Sequence, residues 1–292
     1  MKRIPDGVNY FEAFLTFACP LKCGYCINGD TKPQKSMSAS EWVDGLNRID
    51  FGDVPLTLGG GEPTVHPEFF DILDGVDRRT SIDLLTNAQF DIGEFIARTT
   101  PDRFTKPESM PAYRPIRISY HPSQMDAVET IDKTKQLQDA GFAVGLFSIN
   151  HPNHLKANMG MAELARQKQV YFFVKDFLGD FDCTRFGHYK YPEAIDGSKK
   201  EALCRTKDFL VGPAGDIYKC HRDLYKGENP IGNIQDDDVP MSQRTFSQCS
   251  NYGHCNPCDV KKRANRFLDT GDCNVEIIPR QIDNGVMGAK DE

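Results

Sequence analysis

Cysteine is the residue type most able to do chemistry in this sequence, with ten in a chain of 292 residues. Three of them, Cys19, Cys23 and Cys26, lie near the N-terminus in the spacing C-x3-C-x2-C, and six others lie in the last third of the chain. A chain of this length can bury a full-sized core without disulfide bonds. Clustered cysteines in such a protein more often bind metal or take part in catalysis. The uneven layout therefore predicts two separate cysteine-dependent sites.

The N-terminal cysteine triplet could bind three corners of an iron–sulfur cubane. Three thiolates on one loop leave the fourth iron without a protein ligand, which is what chemistry at a cluster requires. The alternative is a zinc knuckle, but structural zinc sites usually have four protein ligands, and no fourth cysteine or histidine is near in the sequence. The triplet therefore favours a cluster with an open iron.

A glycine-rich segment, Gly59–Pro63 with the sequence GGGEP, follows the second predicted strand. Glycine lets the backbone approach a ligand closely, and a carboxylate such as that of Glu62 can accept hydrogen bonds from an ammonium group. Taken alone, the segment is more simply a glycine-rich turn. The triplet, however, follows the first predicted strand, and the glycine-rich segment follows the second. The pair resembles the motifs of the radical S-adenosylmethionine (radical SAM) superfamily.

This resemblance implies a set of cofactors and contacts. The amino and carboxylate groups of S-adenosylmethionine would chelate the open iron, and a flavodoxin or ferredoxin-type donor would reduce the cluster. Cleavage would then release a 5′-deoxyadenosyl radical. Tyr25 would lie beside the adenine, and Gly60, Gly61 and Glu62 would hold the methionine end. Further contacts to the ribose or methionine portions, each of which could instead be a turn or capping residue, are expected from Ser119, Ser148 and Asn150.

The C-terminal cysteines predict a second metal site. Between Cys204 and Cys220, residues Phe209–Tyr218 read as a β-hairpin with a glycine-rich turn, which would bring these two cysteines together. Cys255 and Cys258, separated by two residues, supply a second pair at metal-binding spacing. These four thiolates could close a four-coordinate site, and their chemistry alone does not distinguish zinc from an iron–sulfur cluster.

The resemblance favours an auxiliary [4Fe–4S] cluster at this second site. The spacing resembles that of SPASM and twitch domains, which follow many radical SAM barrels and bind two and one extra clusters. Because the spacing Cys249-x5-Cys255-x2-Cys258 departs from the full SPASM run, we expect a twitch domain with one cluster. Either Cys249 or Cys273 could replace a proposed ligand or help to hold a second cluster.

Cys183 belongs to neither group of cysteines. Its simplest interpretation is a buried, inert thiol. The alternative is a catalytic hydrogen-atom donor, which radical epimerases use to quench the substrate radical.

Alternating strands and helices must position these motifs. Six short apolar runs predict strands: Phe11–Phe17, Val54–Leu58, Ile82–Thr86, Ile116–Tyr120, Val144–Ile149 and Val170–Val174. Amphipathic segments between them predict helices near Ala39–Arg48, Glu68–Val76, Ile92–Arg98, Met125–Ala140 and Leu155–Gln167. The first helix would be capped by Ser38 or Ser40 and the fourth by Ser123. The alternation predicts an α/β fold with a parallel sheet, and six units form a partial (β/α)6 barrel rather than a closed one.

Composition and charge limit the remaining choices. We expect the barrel to span residues 1–180, a linker 181–203, the twitch or SPASM-like domain 204–275 and a tail 276–292. The formal net charge of −7 argues against a broad nucleic-acid interface. No segment reads as a signal peptide or membrane span, so we expect a cytoplasmic protein.

The substrate is the least constrained expectation. Auxiliary clusters often accept electrons in the enzymes that the chain resembles, which suits an oxidoreductase, although an epimerase is also compatible. Only ten residues precede the first predicted strand, so we expect no N-terminal peptide-recognition domain. That favours a small or carrier-linked substrate such as a sugar, nucleotide-sugar or aminocyclitol. The alternatives are modification of a ribosomally made peptide, a non-catalytic metal-binding module and a degenerate barrel that acts as a scaffold.

Overall fold

A nine-stranded sheet is the largest element of the computed structural model, which describes residues 1–29, 31, 34–105, 112–238, 245–255 and 275–279. The strands in chain order are β1 (Lys2–Arg3), β2 (Tyr10–Thr16), β3 (Ile49–Asp50), β4 (Leu56–Gly60), β5 (Ile82–Thr86), β6 (Ile116–Ser119), β7 (Val144–Ile149), β8 (Phe172–Lys175), β9 (Gly179–Phe181), β10 (Thr184–Phe186), β11 (Lys200–Thr206), β12 (Asp208–Val211), β13 (Asp216–Tyr218), β14 (Gly232–Asn233), β15 (Ser247–Tyr252) and β16 (Val275–Pro279). The helices are α1 (Ala39–Leu46), α2 (Phe69–Gly75), α3 (Ile92–Arg98), α4 (Ala127–Asp139), α5 (Leu155–Lys168) and α6 (His221–Lys226).

The strands β2, β4, β5, β6, β7 and β8 are parallel neighbours in this order. Alternate residues of the strands β2 to β7, such as Leu84, Ile118 and Leu146, are buried in one apolar core shared with the helices, and Phe172 of β8 packs against this core partly buried. The α/β fold with a parallel sheet that we predicted is therefore confirmed, and every predicted barrel strand and helix is present with bounds within about two residues of those expected.

Two helix starts show how local sequence sets these elements. Ser38 caps α1 in a capping box with Glu41. Of the two predicted caps, Ser38 and Ser40, the first is therefore confirmed. The predicted cap of α4 is wrong, because Asp126, not Ser123, accepts the hydrogen bond from the backbone of Glu129 at 2.8 Å. Ser123 instead lies in the preceding turn.

The predicted hairpin is formed by β12 and β13, and it joins the barrel sheet. Strand β12 pairs in parallel with β2. The fully buried ring of Phe209 stacks on Phe11 with a centroid distance of 4.9 Å and an interplanar angle of 12°. The hairpin therefore extends the barrel core, although we had assigned it to the separate C-terminal domain.

A second, smaller unit contains β11, β15 and β16, which form an antiparallel three-stranded sheet. Its own core holds Ala194, Ala202, Tyr252, Val275 and Ile277. The segment that we predicted as a linker is structured, since it contains the β9–β10 hairpin and the start of β11. In the described part of the chain, no helix has the length and apolarity that crossing a membrane requires.

Candidate functional site

The glycines of the GGGEP segment are fixed by the chain segment that leads into the cysteine loop. The backbone N–H of Gly61 donates to the carbonyl of Thr16 at 2.8 Å, and that of Glu62 donates to Ala18 at 2.8 Å. A β-carbon at Gly60, where φ is +135°, would lie 2.2 Å from the carbonyl oxygen of Thr16, and one at Gly61 would lie 2.4 Å from that of Ala18. We expected glycine for close approach to a ligand, but the neighbouring backbone already requires it.

The cysteine loop is closed back onto this segment, because the side-chain Nδ2 of Asn28 donates to the carbonyl of Gly60 at 2.8 Å. Its thiols lie within electrostatic reach of one another. Burial raises the pKa of Cys23 to about 11, and the charges of Cys26 and Cys19 contribute to the rise. Burial also raises the pKa of Cys19, again with a contribution from Cys26.

This donor set fits an iron–sulfur cluster, because a cationic iron core would relieve the repulsion between the thiolates. Cys19 and Cys26 are exposed and Cys23 is half-buried, so the three sulfurs are accessible to such a group. Among the described residues, no three His, Cys, Asp or Glu side chains stand close enough together to surround one metal ion. A cubane separates its ligands more widely than one ion does.

Glu62 is almost completely buried, with 1% of its surface exposed. Its Oε1 accepts hydrogen bonds from the hydroxyls of Thr64 at 2.6 Å and Thr86 at 2.7 Å, and its Oε2 accepts one from the backbone of Asn87 at 2.6 Å. Burial raises the pKa of this carboxyl group, although the hydrogen bonds partly oppose the rise. The carboxylate therefore joins the end of β4 to the end of β5, and its expected contact to S-adenosylmethionine stays a prediction.

Tyr25 lies among three imidazole rings, with centroid distances of 5.9 Å to His121, 5.4 Å to His151 and 5.3 Å to His154. Its hydroxyl hydrogen-bonds Nδ1 of His121 at 2.9 Å. Burial, assisted by the charge of His154, lowers the pKa of His121 to about 4, so its ring is neutral at neutral pH. We did not predict this group of histidines. Their positions just after β6 and β7 could have indicated them, because ligands in such sheets bind beyond the carboxyl ends of the strands.

The β9–β10 hairpin lies against this group of rings. His151 packs edge-on against Phe177 at 4.6 Å and against Phe181, in β9, at 4.9 Å. The two-residue turn between the strands has positive φ at Asp182 (+48°) and Cys183 (+58°). Cys183 is exposed there, so the interpretation as a buried, inert thiol is wrong.

Ser148 faces a helix rather than the mouth of the barrel. Its hydroxyl lies 3.1 Å from the carbonyl of Tyr120 and 2.8 Å from Oδ1 of Asn158 in α5, and the residue is 3% exposed. The geometry therefore does not support its predicted contact to S-adenosylmethionine. Ser119 ends β6 half-buried, and Asn150 is exposed just after β7, so their predicted contacts remain open.

The other face of the barrel strands carries buried charges. Arg117 in β6 pairs with Asp83 in β5 at 3.2 Å, and both side chains are less than 5% exposed. His221 lies between two carboxylates, 3.8 Å from Glu12 in β2 and 3.6 Å from Asp208 in β12. This face of the sheet therefore combines paired buried charges with a second apolar cluster that includes Phe14 and Leu210.

The second group of cysteines comes together around Cys204. A hydrogen bond to Cys249, burial, and the charges of Cys249, Cys255 and Cys220 all raise the pKa of Cys204. The same hydrogen bond lowers the pKa of Cys249 to about 6. Three predicted ligands are therefore neighbours, and Cys249 joins them. The other two cysteines of this segment lie outside the described residues: Cys258 and Cys273.

Comparisons with known proteins agree with this geometry. The family profile described as Radical SAM superfamily matches residues 14–167. A stretch of 64 residues is 34% identical to the mycofactocin maturase MftC of Mycobacterium ulcerans (strain Agy99), which covers 20% of this chain and 17% of that protein. The MftC protein of Mycobacterium tuberculosis (strain ATCC 25618 / H37Rv) gives the same identity over 16% of its length. The match thus spans less than a fifth of these relatives.

Two solved structures share the fold. SuiB of Streptococcus suis, bound to the precursor peptide SuiA, superposes with a TM-score of 0.57 over 82% of this chain and 66% of that one, at 14% identity. Native anSMEcpe, with bound AdoMet and the Cp18Cys peptide, superposes with a TM-score of 0.53 over 80% of this chain and 79% of that one, at 14% identity. Both superpositions extend well beyond the six barrel strands.

Proposed function

The chain belongs to the radical SAM superfamily, since the family match covers more than half of its length, and from this premise we propose that it modifies a peptide. Enzymes of this superfamily use a [4Fe–4S] cluster and S-adenosylmethionine. The observation that carries the peptide proposal is the fold shared over 80% or more of the chain with SuiB and anSMEcpe, both solved with peptides. The maturase MftC is a further relative by sequence.

The earlier expectation of a sugar-like substrate rested on the absence of a recognition domain before the first strand. That reasoning has little force, because the alignments cover only 66% of SuiB and 17% of MftC. The comparison is therefore made with only part of each of these proteins. The relatives favour the peptide alternative instead.

In this proposal, Cys19, Cys23 and Cys26 hold the cluster at the carboxyl edge of the sheet. When bound and reduced, the cofactors supply a 5′-deoxyadenosyl radical that abstracts a hydrogen atom from the substrate. The chain itself positions the loop through Gly60 and excludes water on one side, where the β9–β10 hairpin packs on the histidines.

We also propose that the second group of cysteines binds an auxiliary [4Fe–4S] cluster. The four neighbouring thiols of Cys204, Cys220, Cys249 and Cys255 supply the number of ligands that such a cluster needs. An auxiliary cluster of this kind could accept the electron that the substrate radical loses when it is oxidised to a closed-shell product.

Deuterium transfer tests the proposed substrate class. Protein reconstituted without oxygen is given dithionite, S-adenosylmethionine and either a tryptic digest of uniformly deuterated protein or a pool of deuterated sugars and nucleotide-sugars. We expect 5′-deoxyadenosine that contains one added deuterium with the peptide pool. Deuterium only from the sugar pool would overturn the peptide proposal. Absence of 5′-deoxyadenosine from iron-loaded protein would overturn the proposed catalysis. Cys26→Ala, which lacks one cluster ligand, is the control for background cleavage.

A further inference from the structure

We propose that Gln124 and Asn87 are positioning residues for the cluster. Their carboxamides donate hydrogen bonds to Cys23 and Cys19 and so raise the reduction potential of the cluster. The inference rests on the proposed assignment of the cysteine triplet as cluster ligands. Neither residue belongs to the motifs that the sequence resembles.

Gln124 makes two contacts to the cysteine loop with one side chain. Its Nε2 lies 3.2 Å from Sγ of Cys23, and its Oε1 accepts a hydrogen bond from the backbone N–H of Lys22 at 2.6 Å. The second contact orients the carboxamide, because only the oxygen can accept from an N–H, so the NH₂ group must face the sulfur. Gln124 itself is held in the turn after β6 by a backbone hydrogen bond to His121 at 2.9 Å.

Asn87 has the same relation to Cys19 from the end of β5. Its Nδ2 lies 3.6 Å from Sγ of Cys19, and its Oδ1 accepts from the backbone N–H of Gln89 at 3.1 Å, which again directs the NH₂ group to the sulfur. The residue is 4% exposed, and its backbone N–H donates to the buried Glu62. Two strand ends thus each supply an amide donor to a different thiol of the loop.

A hydrogen bond to a ligand sulfur stabilises the more negative state of a cluster more strongly. Adding one electron to the cluster therefore becomes more favourable, and the reduction potential rises. Each carboxamide also holds the loop in place, and an experiment has to separate this anchoring from the effect on potential.

The variant Gln124→Glu separates these two roles. It keeps an acceptor for the N–H of Lys22, but it replaces the donor to Cys23 by a carboxylate oxygen. Gln124→Leu removes both contacts. Gln138→Glu, which adds the same charge at an exposed position in α4, is the matched control. Full-length protein is reconstituted without oxygen and titrated with a one-electron reductant. The reduced cluster is followed by its electron paramagnetic resonance signal, and the signal that changes on addition of S-adenosylmethionine identifies the open-iron cluster.

We expect the equilibrium constant for reduction to fall about tenfold in Gln124→Glu, which is a shift of about 59 mV to more negative potential for one electron. Iron retention in this variant should match that of the wild type, and Gln124→Leu should lose iron faster to a chelator. A potential in Gln124→Glu equal to that of the wild type and of Gln138→Glu would overturn the inference. Cys23→Ala tests the underlying assignment separately: if it binds as much iron as the wild type, the ligand assignment itself is wrong.

Discussion

The carbonyl oxygen of Thr16 lies 2.2 Å from the position that a β-carbon at residue 60 would occupy, and Gly60 has a φ of +135°. Two strand ends that carry the site are therefore in backbone contact, and only glycine permits this contact. We expect Gly60→Ala to reduce the free energy of unfolding by about 2–4 kcal/mol, from backbone strain and overpacking. Urea denaturation of the reconstituted protein and of the protein without iron measures the loss.

A matched control for this prediction is Gly160→Ala in the middle of α5. A β-carbon there meets nothing within 4 Å, so the substitution should stabilise the helix by roughly 0.5–1 kcal/mol. An unchanged urea midpoint in Gly60→Ala would show that the backbone contact is not a constraint.

The ion pair between Arg117 and Asp83 should dominate the stability of the inner face. Burial opposes the charge of Arg117, but the nearby carboxylate of Asp83 outweighs it and raises the pKa of the guanidinium group. Arg117→Met leaves a buried carboxylate without its cation, which should cost about 3–5 kcal/mol in thermal or urea unfolding. Arg166→Ala breaks the exposed pair with Glu163 and should change nothing measurable. Equal stability of both variants would contradict the prediction.

Local signals in the sequence predicted the barrel well. The bounds of β5 and β7 were predicted as observed, because each is a short apolar run limited by polar or turn residues. The pairing of β12 with β2 could not be predicted in the same way. It depends on Phe209 stacking on Phe11, and such a non-local contact leaves no trace in the local pattern.

The site was predictable only where residue type and spacing define it. The cysteine triplet and the glycine-rich segment follow strands whose ends meet, as expected for a parallel sheet. The environments of Glu62 and Ser148 were not predictable, since their partners Asn87 and Asn158 come from other elements. The same holds for Gln124, whose contact with Cys23 joins residues 101 positions apart.

The neutral ring of His121 should make the protein less stable in mild acid. Its pKa is lowered from 6.5 to about 4 by burial and by His154, so the unfolded chain binds a proton more readily than the folded one. The free energy of unfolding should therefore fall as the pH drops from 6.5 towards 4. His121→Asn cannot be protonated and should flatten this part of the profile. The lowered pKa values of His151 and His154 leave a residual slope.

Urea denaturation at several pH values between 4 and 7 measures this effect on protein without iron. A His121→Asn profile as steep as that of the wild type would show that His121 is not buried in its neutral form.

Cys249 should be required for the auxiliary cluster. Its sulfur hydrogen-bonds Cys204, whose other thiol neighbours include Cys220 and Cys255, so its replacement removes one of four converging thiols. Wild-type protein with two [4Fe–4S] clusters should hold about eight irons, and Cys249→Ser should hold about four, because a cluster with an incomplete ligand set is lost. Cys183→Ser, at the exposed tip of the β9–β10 hairpin, should keep the full amount. Iron and sulfide counts after reconstitution without oxygen decide between the outcomes, and undiminished iron in Cys249→Ser would exclude Cys249 as a ligand.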